Sequence, residues 1–327
     1  MVLGTDRKLI QSTDSLATLL RVDAGYANNK GEIYDNNGVF IDFPRELSSK
    51  NRSNLDFSSV IKQLCNKRVA CLVHERRNYS YYHWTYETLP KLIYLNKHRK
   101  ELEVDKLYFH YGFLGHPYQR QAIRKLGFKF WQILDAKRIS SLMAKEILVV
   151  KLHDSRFDPG AELCRTIKSA FIKRPAKETG RRIYLTRDHV KTGRKVANEA
   201  QLRALLSAYG FQAVIADNLS LSNQATLFNE SKYVISPHGA TLANIVFCEP
   251  GTRILELFNR MDRSAWRPVY SRIAEKCELE LMPLAPKQTV LPQTVQDEDG
   301  QNDKVQHRTD FVADLSAIQA ILTDWGL

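Results

Sequence analysis

The sequence predicts an α/β protein built from two doubly wound units. Three observations predict it. The chain has 327 residues, beyond the roughly 100–200 usual for one domain. Short apolar runs alternate with helical patterns twice along it, which argues for parallel sheets covered on both faces. Between the two alternations lies a basic stretch with Pro and Gly, IKRPAKETG, the best linker candidate.

The elements follow in chain order. Residues 1–60 are polar and rich in Asn and Ser, with apolar pieces such as GVFIDF, and carry no firm assignment. From Arg68 the pattern sharpens. RVACLVHE (68–75) reads as a buried strand, YYHWTYETLPKLIYLNKH (81–98) as a helix and KLYFH (106–110) as a strand. PYQRQAIRKLG (117–127) is a helix stopped by Gly127, followed by strands KFWQIL (129–134) and EILVVKL (146–152). A helix is expected near 160–173, and the linker stretch follows it. The second alternation comprises RRIYL (181–185), NEAQLRALLSAYG (198–210), FQAVIA (211–216), LSNQATLFNESK (221–232), YVIS (233–236), TLANIVF (241–247) and TRILELF (252–258). Leu202, Leu205, Leu206 and Tyr209 share one helical face, and Gly210 stands where a left-handed cap belongs. The region 285–307 is polar and reads as an exposed loop. The last residues put Phe311, Leu315, Ile318, Ile321 and Leu322 at helical spacing. The expected limits are 1–174 and 175–307 for the two units, with a closing helix at 308–327 packing back across both.

Composition narrows the function. With 43% hydrophobic and 26% charged residues the chain is an ordinary globular one. The net charge is +12, and 24 Lys and Arg face only 15 Asp and Glu in residues 1–150. Such a surface suits nucleic acid, anionic lipid or phosphorylated small molecules. The basic residues alternate with structured apolar elements instead of forming an arm, and no nucleic-acid recognition module is present, so nucleic acid is not an expected partner. Peripheral contact with an anionic membrane is. Cys65, Cys71, Cys164, Cys248 and Cys277 are odd in number and contain no CxxC pair, which fits reduced thiols in a cytosolic protein. No apolar run approaches ~18 residues, and the opening MVLGTDRKLIQSTDS lacks a signal core. The expectation is a cytoplasmic protein, possible contact with the inner membrane face included.

One junction carries chemistry. YVISPHGATLANIVF, residues 233–247, is a strand, a tight Pro-His-Gly turn and a helix that starts at once. In doubly wound folds ligands bind outside the carboxyl ends of strands, where a helix start offers N–H groups and partial positive charge. Gly239 permits the turn, Ala240 lets a phosphate approach the backbone, and His238 adds a ring donor. The rival is a tight turn with no ligand. Neither GxxxxGK nor GxGxxG is present there.

SPHGATLANIVFCEPGTRILELF, with RRIYLTRD, GRKVANEAQL and YGFQAV upstream and NYSYYHWTYETLPKL in the first half, resembles glycosyltransferase family 61. The blocks cover roughly 78–258 and keep the family's order. The resemblance implies a GT-B fold of two Rossmann-like halves facing a cleft, with an acceptor side in 1–174 and a nucleotide-sugar side in 175–307. It also implies inverting transfer from a nucleotide sugar to a glycan or lipid-linked glycan, as in bacterial capsule or surface polysaccharide synthesis. On that reading Ser236, His238, Gly239 and Ala240 hold the diphosphate and Asn244 braces the loop. Arg187 and Arg194 neutralise phosphate charge, and Glu256 accepts from ribose hydroxyls. A buried structural carboxylate is the rival for Glu256.

The other side of the cleft is expected from NYSYYHWTYETLP. His83 and Glu87 are four residues apart and share a helical face. An inverting transfer needs one base for the acceptor hydroxyl, and either residue can be it. The sequence reading favours Glu87, with His83 orienting or touching donor phosphate. Tyr81, Tyr82, Trp84 and Tyr86 offer faces for sugar stacking, with core packing as the commoner use. Pro90 should kink the helix or mark its first turn. No metal and no cofactor beyond the nucleotide-sugar co-substrate are expected, since the DxD-like Asp297-Glu298-Asp299 sits in the polar loop. Two rivals remain: a catalytically silent nucleotide or sugar binder on the same fold, and a basic nucleic-acid-binding protein.

Overall fold

The computed structural model describes residues 9–10, 15–35, 40–41, 60–61, 66–72, 80–110, 115–154, 158–176, 180–190, 193–261, 268–290 and 309–327. The tail 73–75 of the first expected strand, Asn78, Tyr79, most of the expected 285–307 loop and its Asp297-Glu298-Asp299 lie outside them. The chain is a mixed α/β protein of two compact units, residues 1–167 and 168–327. The boundary falls inside the helix Ala161–Phe171, seven residues before the expected limit.

Unit 1 is organised by ten strands: β1 Leu9–Ile10, β2 Ala17–Asp23, β3 Tyr26–Asn28, β4 Ile33–Tyr34, β5 Val60–Ile61, β6 Arg68–Leu72, β7 Lys106–Phe109, β8 Ile133–Asp135, β9 Ser141–Met143 and β10 Glu146–Leu152. Six form a sheet in the order β1-β2-β10-β6-β7-β8, parallel from β10 through β8 and antiparallel where β2 meets β10. β10 lies inside this sheet, and all but one of its side chains are buried, as a strand covered on both faces requires. The strands β4-β3-β9-β5 make a second, smaller sheet. β2 corrects the unassigned reading of 1–60: ATLLRVD buries four of its seven residues against β10, a pairing that only long-range contact decides.

The expected strand 129–134 is also corrected. Phe130–Gln132 form a 3-10 turn, and the strand begins only at Ile133. Gln132 is what the turn buries: its Oε1 accepts from Lys129 N–H at 2.8 Å, and its amide donates to the carbonyls of Val104 and Asp105. The two aromatics beside it face solvent.

The helix after β6 is interrupted. It runs as Tyr81–His83, a π turn Trp84–Thr88 and then Leu89–Lys97. Pro90 explains the widened turn. Its nitrogen carries no hydrogen and its ring crowds the carbonyl one turn back, so the ladder shifts and Leu89 N–H reaches Trp84 O five residues away. Trp84 and Tyr86 are fully buried and Tyr82 nearly so, with Trp84 stacked on Phe109. The expected sugar-stacking faces of these three rings are therefore core.

Unit 2 contains β11 Arg181–Leu185, β12 Gln212–Val214, β13 Ser231–Pro237, β14 Arg253–Leu257, β15 Glu280–Leu284 and the antiparallel pair β16 Gln288–Val290 and β17 Asp310–Val312. Five are parallel in the order β12-β11-β13-β14-β15. The chain leaves β11 for β12 on one side, then returns to β13 on the other. The carboxyl ends of β11 and β13 thus flank a topological switch point. Leu202, Leu206, Ile235, Leu255, Ile318 and Leu322 belong to one core on this sheet. The closing helix Leu315–Asp324 supplies the last two, so its apolar face is drawn into the core of unit 2. Among the described residues no helix is long and apolar enough to cross a membrane.

Candidate functional site

The switch point in unit 2 gathers cations. Arg187 follows β11, and the Pro237-His238-Gly239 turn follows β13, its neighbour in the sheet. Gly239 has φ 179°, extended backbone open to any residue. A Cβ there would stand 2.4 Å from Arg187 Nη1, so a larger residue would push the end of that side chain aside. The guanidinium lies directly over the glycine.

Arg187 is poorly compensated. Its Nε is buried without a hydrogen-bond partner. Among the described residues no carboxylate stands within ion-pair distance of it, and its Nη2 makes only a long contact of 3.4 Å to Gly193 O. Burial, and then the charge of Arg194, hold its pKa down at about 10, below the usual guanidinium value, against a smaller opposing pull from Asp217 and Asp310. Arg194 is half-buried and adopts φ 62° right after Gly193 at φ 77°. For a non-glycine residue that conformation costs roughly 1–2 kcal/mol. The loop bearing both arginines is tied at its ends. Tyr184 and Thr186 hydroxyls donate to the two oxygens of Glu199, each at 2.6 Å, and Lys195 N–H donates to Asp310 Oδ1 at 2.8 Å.

His238 is fixed on three sides. Its Nδ1–H donates to Glu256 Oε1 at 2.6 Å, its ring stacks on Phe258 at 4.9 Å, and Tyr270 meets its edge at 5.5 Å. The Tyr270 hydroxyl also donates to Gly239 O at 2.7 Å, pinning the turn. Glu256 is buried and the imidazole partly exposed, so the carboxylate sets the tautomer and leaves Nε2 for a ligand. The pairing comes from register, since Ser236 sits beside Glu256 across β13 and β14. Oε1 of Glu256, the carboxylate expected at the ribose, is engaged by the His238 ring.

The remaining junction residues divide. Ala240 opens the 3-10 helix Ala240–Phe247, whose first internal bond runs from Leu242 N–H to Gly239 O. The N–H groups of Ala240 and Thr241 precede that bond and carry the helix-start polarity. Ser236 is buried and donates to Pro237 O, at the start of the turn. Asn244 is fully buried, donating to Gln224 Oε1 and Thr241 O, which is the expected brace. Phe258 and Tyr270 were not foreseen. Tyr270 belongs to the helix Val269–Lys276, which no reading of the sequence assigned.

Unit 1 holds a second imidazole–carboxylate pair. His83 Nδ1 and Glu87 Oε1 are in direct hydrogen-bond contact across the π turn. Here too the ring is the more accessible partner, with 22% of its side chain exposed against 11% for Glu87. Access thus favours His83 Nε2, and Glu87 is placed to hold the ring. Among the described residues no three His, Cys, Asp or Glu side chains gather to hold a metal ion. A cavity of about 1070 Å³ opens at the amino ends of the unit 2 strands, beside Lys173, Arg174, Arg181 and Glu230, and shares none of the residues above.

Among curated proteins none matches the chain. The family model for Glycosyltransferase 61 matches residues 81–255, from the first residue of the His83 helix to the middle of β14 and over more than half of the chain. It takes in both histidines, Glu87, both arginines and the whole 3-10 junction. The protein belongs to the glycosyltransferase 61 family.

Proposed function

We propose that the protein is an inverting GT-B glycosyltransferase that moves a sugar from a nucleotide-sugar donor to a glycan or lipid-linked glycan acceptor of surface polysaccharide synthesis at the cytoplasmic side of a membrane. The observation that carries the donor site is Arg187, a half-buried cation lying over Gly239 at the switch point, with Asp217 and Asp310 near enough to act on its charge but, among the described residues, no carboxylate in ion-pair contact with it. A diphosphate supplies the missing counter-charge. Family membership supports glycosyl transfer as the reaction.

In this reading unit 2 binds the donor and unit 1 supplies the base. The acceptor hydroxyl attacks the anomeric carbon from the face opposite the nucleotide, its proton passes to His83 Nε2, and the bond from that carbon to the diphosphate oxygen breaks. Glu87 steadies the imidazolium as it forms, as a buried carboxylate on Nδ1–H does in other imidazole bases. Arg187, Arg194, His238 Nε2 and the N–H groups of Ala240 and Thr241 meet the charge that develops on the leaving diphosphate. Glu256 and Tyr270 position this set and touch no substrate. The charge stabilisation is assigned to these groups, and transfer is metal-independent.

The test is transfer from a panel of nucleotide sugars to glycan acceptors, with and without EDTA. Wild type should transfer in EDTA. His83→Asn should bind donor normally and lose roughly 10²-fold or more in turnover, while Glu87→Gln should lose less and shift the pH profile. The reverse ranking would make Glu87 the base. Donor binding with no transfer by wild type would leave a silent binder, and activity lost to EDTA and restored by Mn²⁺ would overturn the leaving-group chemistry.

A further inference from the structure

Trp131 is 68% exposed and Phe130 39% exposed, and among the described large apolar side chains none is more open to water than Trp131. They stand out because their turn is rigid, with buried Gln132 bonded to Lys129, Val104 and Asp105 beneath them. Cations surround them. Lys106 Nζ lies 4.9 Å from the Trp131 ring centre and donates to Trp131 O at 2.8 Å, while the guanidiniums of Arg120 and Arg124 lie 5.6 and 5.9 Å from the Phe130 ring. The segment 115–140 carries Arg120, Arg124, Lys125, Lys129, Lys137 and Arg138 against the single acid Asp135. Its formal charge is +5.

We infer that the Phe130–Trp131 turn is a docking point for an anionic lipid bilayer. Rings with an apolar body and a polar edge settle at headgroup depth, and long cationic side chains around them reach the phosphates. A net charge of +5 over the segment matches an anionic leaflet. A neutral glycan stacked on Trp131 would use the ring but leave the cations without a role. The patch shares no residue with His83, Glu87 or the Arg187 junction.

Full-length protein is sedimented with vesicles of phosphatidylcholine alone and of phosphatidylcholine mixed with phosphatidylglycerol. No nucleotide sugar is present, so the outcome is independent of the transferase reading. Wild type should partition onto the anionic vesicles and be released by salt. The double variant Arg124→Ser, Lys129→Ser should lower partition roughly 25-fold, at roughly fivefold per near-surface cation. Trp131→Ser should lower it roughly tenfold and Trp131→Phe much less, with unchanged melting because the side chain is exposed. Equal binding to both vesicle types, or full binding by the variants, overturns the inference. So does a Trp131→Ser protein that keeps its lipid affinity and loses retention on a neutral glycan column, which would make the turn a sugar platform.

Discussion

Gly239→Ala is the most informative perturbation of the donor junction. The native φ of 179° suits alanine, so the backbone needs no change. The new methyl meets Arg187, at 2.4 Å from Nη1 and 3.3 Å from Cζ. Ordinary contact begins near 3.4 Å, so the guanidinium must retreat by about 1 Å. A hydrogen bond lengthened by that much is lost. One charge-assisted bond to a phosphate oxygen is worth about 1.5–3 kcal/mol, which is roughly 10- to 150-fold in dissociation constant.

Titration calorimetry with nucleoside diphosphates measures the loss, and a second background isolates its cause. In Arg187→Met protein the same glycine change should weaken binding by less than about threefold, because the group it displaces is already gone. If Gly239→Ala is equally harmful in both backgrounds, the glycine serves close approach of phosphate to the backbone and the Arg187 argument fails. Unchanged affinity in the otherwise native protein would remove the junction as the donor site.

Two further outcomes follow from buried charge. Arg187→Met should stabilise the ligand-free protein by about 1–3 kcal/mol, since the depressed pKa of about 10 marks a cation that burial disfavours at neutral pH; it should also abolish the rise in melting temperature given by a nucleoside diphosphate. His110 is buried against Gly31, and desolvation holds its pKa at about 4, below the usual 6.5. The unfolded chain therefore takes up a proton first, and stability should fall by about 3 kcal/mol as pH drops from 6.5 through 4. His110→Phe should flatten that acid limb in urea melts at pH 7 and pH 4.5, and an unchanged limb would put the loss elsewhere.

Strands β11 to β14 of unit 2 were legible because each is a short apolar run closed by polar turns, and β11 spans the RRIYL stretch residue for residue; β15 was not assigned, β16 falls in the expected 285–307 loop, and β17 takes Phe311 out of the expected closing helix, because pairing with another strand decides all three. β2 was not, since its burial depends on antiparallel register with β10 more than a hundred residues on. Phe130 and Trp131 misled for the opposite reason. Their letters suggest core, but the buried side chain of that turn is a glutamine, two of whose three backbone partners, Val104 and Asp105, lie far away in the sequence. The spacing of His83 and Glu87 forecast their contact, while the π turn beneath it needed Pro90 to be read together with the ladder it breaks. Glu256 was visible as a carboxylate at a strand end. Its partner was not, because only the pairing of β13 with β14 sets it beside His238.

The two imidazole–carboxylate pairs are built from different levels of structure. His83 and Glu87 lie one turn apart on a single helix, so local geometry brings them together. His238 and Glu256 come from neighbouring strands, and Arg187 joins them only because β11 is the strand on β13's other side. Had the chain continued from β12 outward instead of returning to β13, Arg187 and Gly239 would stand at separate strand ends. Each would then be an ordinary residue: a solvated arginine and a glycine with room for a methyl group. Strand order therefore converts both into a single feature, a half-buried cation close over a glycine, and that is the basis on which an anion is proposed there.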